Sequence, residues 1–263
     1  MLPESFWGRI QYLLQQYGTS FLSGAGNTMI IAIVGTFLGC LIGFIVGIIQ
    51  TIPVDKRDSD VKKTLVGFLK FIMACYVEFF RGTPMMVQAM FIYYGSAYLF
   101  NINMSMWFAA FFVVSINTGA YMAETVRGGI LSVDEGQTEG AKAIGMTHVQ
   151  TMINVILPQA LRNIMPQIGN NLIINIKDTC VLSIIGIVEL FYTTKGVAGA
   201  YYTYFEAFTI AMVMYFILTF VCSRLLRLLE HKMEGPQNYD LATTDTLTHT
   251  SGLYSYPKKK EEK

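Results

Sequence analysis

Charge is scarce in this chain. Of 263 residues only 14% are Asp, Glu, Lys or Arg, while 53% are hydrophobic. A soluble domain of such length carries nearer a quarter charged residues. The deficit excludes an ordinary water-soluble globule and, with several long apolar stretches, places the chain in a bilayer. A net charge of +1 offers no basic surface for nucleic acid. Cysteine is scarce as well. Cys40, Cys75, Cys180 and Cys222 stand singly inside apolar stretches with no CxxC pair, which points away from a disulfide framework or metal site and toward small buried hydrophobes. The sequence lacks GxxxxGK[ST], HExxH and GxSxG, so it supplies neither a phosphate-cradling loop nor a recognisable catalytic residue or metal site. The N-terminus lacks the basic start and continuous apolar core of a cleaved signal peptide, and residues 1–27 read as an amphipathic lead-in on the membrane surface.

What is present is a series of apolar segments. Candidate spans run over 28–49, 64–100, 106–126, 164–191 and 205–228, each compatible with the roughly 20 residues a spanning helix needs. The second is ambiguous, because its 37 residues would extend roughly 55 Å as one helix. Charge resolves it. Lys and Arg collect in cytoplasmic loops, and they are concentrated in 50–63, in 127–162 and beyond Ser223. Putting all three stretches on one side requires 64–100 to cross once, with 64–80 along the inner interface and the span proper starting near Pro84, a favoured first helical position. The expected architecture is therefore an all-α integral membrane protein. Five transmembrane helices make up a domain over 28–230, with the N-terminus outside and the C-terminus inside. Residues 231–263 are polar and aperiodic, and read as a disordered cytoplasmic tail.

The first span carries Gly35, Gly39, Gly43 and Gly47, four apart and so on one helix face. Such a stripe lets a second helix approach closely, within the subunit or across a subunit interface. Between the third and fourth spans, the loop 127–162 contains EGAKAIGMTHVQTMINVILP, residues 139–158. On a helical net Gly145, Val149, Met152, Ile153 and Ile156 share a face, while Lys142, Gln150 and Asn154 point elsewhere. Gly145 allows a bend and Pro158 is expected to end the hydrogen-bond ladder and redirect the chain. The polar side is nearly neutral, which suits a protein groove better than an anionic lipid surface.

Glu139-Gly140-Ala141, Gly145 and Val155-Ile156-Leu157-Pro158 resemble the EAA motif of ABC importer permeases: E-A-A, three residues, G, nine residues, I-x-L-P. Gly140 and Val155 are mild departures. Phe80-Arg81-Gly82-Thr83-Pro84, Asn117-Thr118-Gly119-Ala120-Tyr121, the run Glu124 to Ile130, Leu157 to Arg162 and Lys177-Asp178-Thr179 look like signatures of one branch, the polar amino acid importers, in that branch's order. The resemblance covers residues 20–230 and implies a permease subunit of a type I ABC importer in the cell membrane. It implies two ABC ATPase subunits that receive Glu139, Gly140, Ala141, Gly145, Ile156, Leu157 and Pro158, a second permease subunit, identical or homologous, and an extracytoplasmic amino-acid-binding protein. It also implies no cofactor in this chain, since ATP and Mg are bound by the partner ATPase.

Ionisable groups inside a span are costly and read as functional by default. Lys177 and Asp178 fall near the middle of the fourth span beside Thr179, and Asn117, Tyr121 and Glu124 fall on one face of the third at spacings of four and three. Together they offer donors for the carboxylate and acceptors for the ammonium of an amino acid. The plainer reading is that Lys177 and Asp178 neutralise each other, and that Glu124 pairs with Arg127. Gln88, Tyr93 and Tyr94 either line the path or form a packed face. An ion-coupled secondary transporter or a channel is the alternative function; it would work without an ATPase and has no use for the docking motif.

Overall fold

The computed structural model describes residues 2–54 and 58–234, with side chains as far as Leu229. Among these the chain is helical throughout, with no strand. Helix α1 spans Phe6–Thr51, α2 Asp60–Gly82, α3 Met85–Phe100 and α4 Met106–Leu131. Short α5 (Glu135–Ala143) and α6 (His148–Thr151) lead through a π-turn at Met152–Ile156 into α7 (Leu157–Asp178). A 3₁₀ turn at Thr179–Ile185 separates α7 from α8 (Leu190–Tyr201), and α9 covers Tyr204–Glu234. Three described helices, α1, α4 and α9, are each long and apolar enough to cross a membrane, and a fourth crossing arises if His148–Ile185 and Leu190–Tyr201, bent by 56°, count as one broken span. The polar tail expected over 231–263 lies, apart from the end of α9, outside the described residues.

Helices α1 and α4 form the central pair, and the glycine stripe lies between them. A Cβ on Gly39 would sit 3.0 Å from the Ser115 carbonyl oxygen, one on Gly43 2.9 Å from the Ala123 nitrogen, and one on Gly47 2.8 Å from the Ala123 oxygen. The side chains facing Gly35, Gly39, Gly43 and Gly47 are Val114, Thr118, Met122 and Val126, also four apart. One four-residue ridge thus fits one four-residue groove, and of the two uses open to this stripe it serves packing within the subunit.

Residues 6–27 do not form a separate lead-in. They continue without a break into the span as a single helix of 46 residues, about 70 Å long. Their apolar side chains Leu13 and Phe21 are covered by Leu190, Val197, Ala198, Ala207 and Ile210, so α8 and α9 occupy the face a lipid surface would have taken. Arg9 pairs with Glu206 at 3.1 Å and Tyr17 meets Tyr201 hydroxyl to hydroxyl at 2.9 Å.

The long second segment is broken at Thr83-Pro84, where Pro84 precedes α3. Its first part does not run along the rim for its whole length. The Tyr76 hydroxyl donates to the Ile116 carbonyl at 2.7 Å, so the C-terminal part of α2 lies against the middle of α4. Buried Glu189 caps α8, accepting from the backbone N–H groups of Phe191 (2.8 Å) and Tyr192 (2.7 Å) and from the Tyr215 hydroxyl (2.9 Å). That carboxylate joins α8 to α9.

Because the atoms facing Gly43 are backbone and Cβ, they cannot swing aside. Gly43→Ala is expected to cost about 1–3 kcal/mol. Gly18→Ala, at a position with no heavy atom within 4 Å, should be neutral or slightly stabilising. Thermal unfolding of the detergent-purified variants measures both; equal midpoints would contradict the seam.

Candidate functional site

Two helix breaks meet beside α4. At the first, Pro84 cannot donate, leaving carbonyls of α2 without helical partners. The Gln88 side chain supplies the donor: its amide nitrogen lies 2.9 Å from the Phe80 and Thr83 oxygens and 2.8 Å from Thr83 Oγ1. Its own oxygen accepts from Asn117 Nδ2 at 3.0 Å. Gln88 is therefore a buried clip on the break, while Tyr93 packs against the α1–α4 core. At the second break α7 stops at Asp178, in the middle of the expected fourth span, and tightens into the 3₁₀ turn before Gly186 at φ +90°. Asn175 anchors this end. Its amide donates to Thr36 Oγ1 at 2.7 Å and Thr118 Oγ1 at 2.9 Å, both on the glycine-seam helices and all three buried.

Between the breaks lies a cavity of about 290 Å³ lined by Thr83, Asn117, Tyr121, Asn171, Asn175 and Asp178, with Pro84, Met85, Thr118 and Ile174 completing the wall. Three residues expected from sequence, Asn117, Tyr121 and Asp178, come together here. Three do not. Lys177, one position and about 100° from Asp178, is exposed and does not line this wall. Thr179 is fully buried, and its hydroxyl donates to the Ile176 carbonyl at 3.0 Å. Glu124, one turn along α4 from Tyr121, lines a second cavity of about 430 Å³ with Gln50, Lys70, Glu78, Arg81 and Arg127. It pairs with Arg127 at 3.2 Å and with Arg81. The Arg81 guanidinium also stands 5.6 Å over the Tyr121 ring. Arg81 was not among the expected site residues; Asn175, which adjoins the expected Lys177 and Asp178, lines the Asp178 cavity as well. The signal for Arg81 was an arginine within an apolar stretch, which must find a carboxylate.

The segment after α4 is built from local caps. Asp134 accepts from the Gly136 N–H at 2.8 Å to start α5. The helix ends in paired bonds from Gly145 N to Lys142 O (3.0 Å) and Met146 N to Ala141 O (3.1 Å), with Gly145 at φ +84°. Thr147 and Gln150 then exchange side-chain and backbone bonds in a capping box that opens α6. Gly145 is thus the corner between two capped helices.

Pro158 does not end the ladder. It sits in the first turn of α7, where a missing N–H is tolerated, and the π-turn precedes it with Leu157 N bonded to Met152 O. The wider turn is held by Asn154 and Gln159, whose side-chain amides donate to the Gln150 and Val155 carbonyls, each at 2.9 Å. The expected apolar face divides. Met152 and Ile156 pack with Met122, Val126, Ile130 and Ile164. Val149 and Ile153 remain 63% and 57% exposed, joined by Ile144 at 80%. Of the motif residues, Glu139, Gly140, Gly145 and Pro158 are exposed, Leu157 is half-buried, and Ala141 and Ile156 are buried.

Residues 64–235 match the family described as binding-protein-dependent transport system inner membrane component. The chain is 34% identical over 215 residues to the glutamine transport system permease protein GlnP of Escherichia coli K12, covering 81% of this chain and 92% of that one. It is 32% identical over 226 residues to the putative glutamine transport system permease protein GlnP of Rickettsia typhi, covering 85% and 98%. Among solved structures, a chain of an amino acid ABC transporter crystallised with histidines superposes with a TM-score of 0.73 at 34% identity, over 83% of this chain and 96% of that one. A chain of the inward-facing MetNI methionine ABC transporter superposes with a TM-score of 0.68 at 19% identity, over 83% and 98%, a likeness of fold.

Asn175→Leu leaves the Thr36 and Thr118 hydroxyls without their shared donor and is expected to destabilise the chain by about 1–3 kcal/mol. Adding Thr118→Val should cost less than the sum of the two single changes, because the groups share one network. Thermal unfolding of the four proteins in detergent checks the cycle; strict additivity would contradict the network.

Proposed function

Because this chain belongs to the binding-protein-dependent transport system inner membrane components, in the polar amino acid branch of the ABC importer permeases, we propose that it forms the translocation pathway of an ATP-driven importer of a polar amino acid. It is a multi-pass protein of the plasma membrane. Its five crossings are α1, the broken pair α2–α3, α4, the broken pair α7–α8, and α9. The N-terminus is outside, and the C-terminal stretch 231–263 is inside with the α5–α6 corner. Two ATPase subunits, which hold ATP and Mg, dock on that corner. A second permease subunit completes the pathway, and an extracytoplasmic binding protein delivers the substrate.

One observation carries this reading: a single helical path links the docking corner to the cavity. From His148 through the π-turn to Asp178 the helix is continuous, 31 residues and about 46 Å long. The exposed side chains Ile144, Val149 and Ile153 lie just before its start and in its first two turns, and Asp178 lies at its end. A displacement of the corner therefore reaches the cavity wall along one helix, which passes Pro166 inside α7 without ending. At the cavity, the Asp178 carboxylate faces the ammonium of an amino acid and the Tyr121 hydroxyl offers a donor to its carboxylate. Asn117 lines the wall, its amide nitrogen donating to Gln88 Oε1 at 3.0 Å and to the Phe80 carbonyl at 3.3 Å. A broken helix that presents its end to a midplane cavity is the arrangement in which irregular backbone is tolerated within a membrane.

The reconstituted complex, with its ATPase and binding protein, should accumulate radiolabelled L-glutamine in liposomes only when ATP is supplied. Equal uptake without the ATPase would favour a secondary transporter or channel. Asp178→Asn should abolish uptake while the complex still assembles, and unimpaired uptake would remove Asp178 from the pathway. Gly145→Asp strains the corner and adds charge to the docking surface; it is expected to leave hydrolysis by the ATPase intact and uncouple it from uptake. A fully transport-competent Gly145→Asp complex would contradict the coupling role.

A further inference from the structure

The expected polar face of α4 serves two cavities. Asn117 and Tyr121 line the one that holds Asp178, whereas Glu124 and Arg127 line the next, closer to the α5–α6 corner. Residues 117, 121, 124 and 127 follow at spacings of four, three and three, so both cavities open on the same side of α4, one after the other. At their boundary stands Arg81. Its guanidinium pairs with Glu124 and lies 5.6 Å over the Tyr121 ring, while Arg127 holds the Glu124 carboxylate from the far side at 3.2 Å. Arg81 is the penultimate residue of α2, directly before the break that Gln88 clips together. Its position is thus fixed from both ends.

We propose that Arg81, Tyr121 and Glu124 form the inner gate of the pathway, closed in this structure, so that a substrate leaving the Asp178 cavity must displace the Arg81 guanidinium. This rests on the transport reading above and assigns Glu124 to the gate, leaving substrate contact to its neighbours. The chemistry suits a latch. A planar guanidinium can stack on a ring and pair with a carboxylate at once, which a lysine ammonium does less well. The pair is partly open to solvent, with side-chain exposures of 41% and 38%. Pairs so exposed are weak, and a gate that opens in every cycle needs a weak bond. The opposing charges Lys70 and Glu78 line the lower cavity and provide alternative partners once the latch opens.

The test uses the full complex with its ATPase in liposomes preloaded with radiolabelled L-glutamine and given no nucleotide. Arg81→Gln and Glu124→Gln should each raise nucleotide-free efflux roughly three- to tenfold over wild type. The double variant should leak no more than the leakier single, because both changes open one latch. Wild-type efflux from Arg81→Gln, or a double variant whose leak is the product of the singles, overturns the gate. Should Arg81→Gln fail to co-elute with the ATPase, Tyr121→Leu keeps both charges and removes only the stack; it should still leak, and wild-type efflux from it overturns the proposal equally. If the wild-type complex shows no ATP-driven uptake while Arg81→Gln leaks, the importer reading fails and the gate stands as part of a passive path.

Discussion

The seam between α1 and α4 is the constraint on which the rest of the structure depends. In lipid no hydrophobic effect draws apolar helices together, so close van der Waals fit must do it. Gly35, Gly39, Gly43 and Gly47 bring the α4 backbone within reach of a single Cβ. That fit fixes the rotation of α4 about its own axis. With Val114, Thr118, Met122 and Val126 turned toward α1, helical geometry turns Asn117, Tyr121 and Glu124 onto the adjoining side. The polar side therefore faces α2 and α7 as a consequence of packing. Thr36 and Thr118, placed by the same seam, then receive Asn175 and so set where α7 ends.

Given that frame, the two helix breaks are the feature that makes a cavity. A continuous helix satisfies its own backbone and offers a solvent-poor interior nothing to bind. Breaking one frees polar groups that must be satisfied locally. Gln88 does so at Thr83-Pro84 with one side chain, while the second break uses the tighter 3₁₀ turn and the Thr179 hydroxyl. Asp178 is left without such a role and lines the cavity. Beyond the break, Glu189 restarts the helix as α8 and binds it to Tyr215 of α9. The buried Glu189 carboxylate serves the scaffold and the exposed Asp178 carboxylate lines the site, a difference set by what lies within hydrogen-bond reach of each.

Sequence spacing captured what lives on one helix and missed what joins two. The glycine stripe, the Asn117–Tyr121 face and the bend at Gly145 are properties of local sequence, so they could be read directly. Lys177 was grouped with Asp178 because they adjoin in sequence, yet neighbouring helical positions diverge by about 100°, and only Asp178 lines the cavity. Glu124 shares a face with Tyr121, but one further turn carried it into the next cavity, toward Arg81. The Arg81–Glu124 pair joins residues 43 apart in the chain, a separation that no periodicity reports. Pro158 was expected to end a helix because proline removes a donor. The π-turn, with Asn154 and Gln159 serving the freed carbonyls, lets the chain run on instead. Residues 1–27 looked amphipathic in isolation because α8 and α9, which cover their apolar side, lie far away in sequence.

The π-turn also bears on how force could travel. A helix transmits displacement along its axis only if it cannot rotate freely about it. The coupling helix enters the bundle at Met152 and Ile156, which pack among Met122, Val126, Ile130 and Ile164, while Val149 and Ile153, one turn before or between them, stay exposed. In a regular α-helix all four would share one face and compete for the same contact. The wider turn separates them, so Val149 and Ile153 stay exposed while Met152 and Ile156 pack against α4. On the transport reading proposed above, a push on the exposed pair is passed along α7, which the packing of Met152 and Ile156 holds against rotation. Its far end carries Asn175 and Asp178, so a displacement that strains the bonds from Asn175 to Thr36 and Thr118 also reshapes the wall beside Tyr121, on which Arg81 rests. On that same reading, docking corner, cavity and charge latch lie along one helical connection, and α4 packs against its π-turn, lines the cavity and carries Glu124 of the latch.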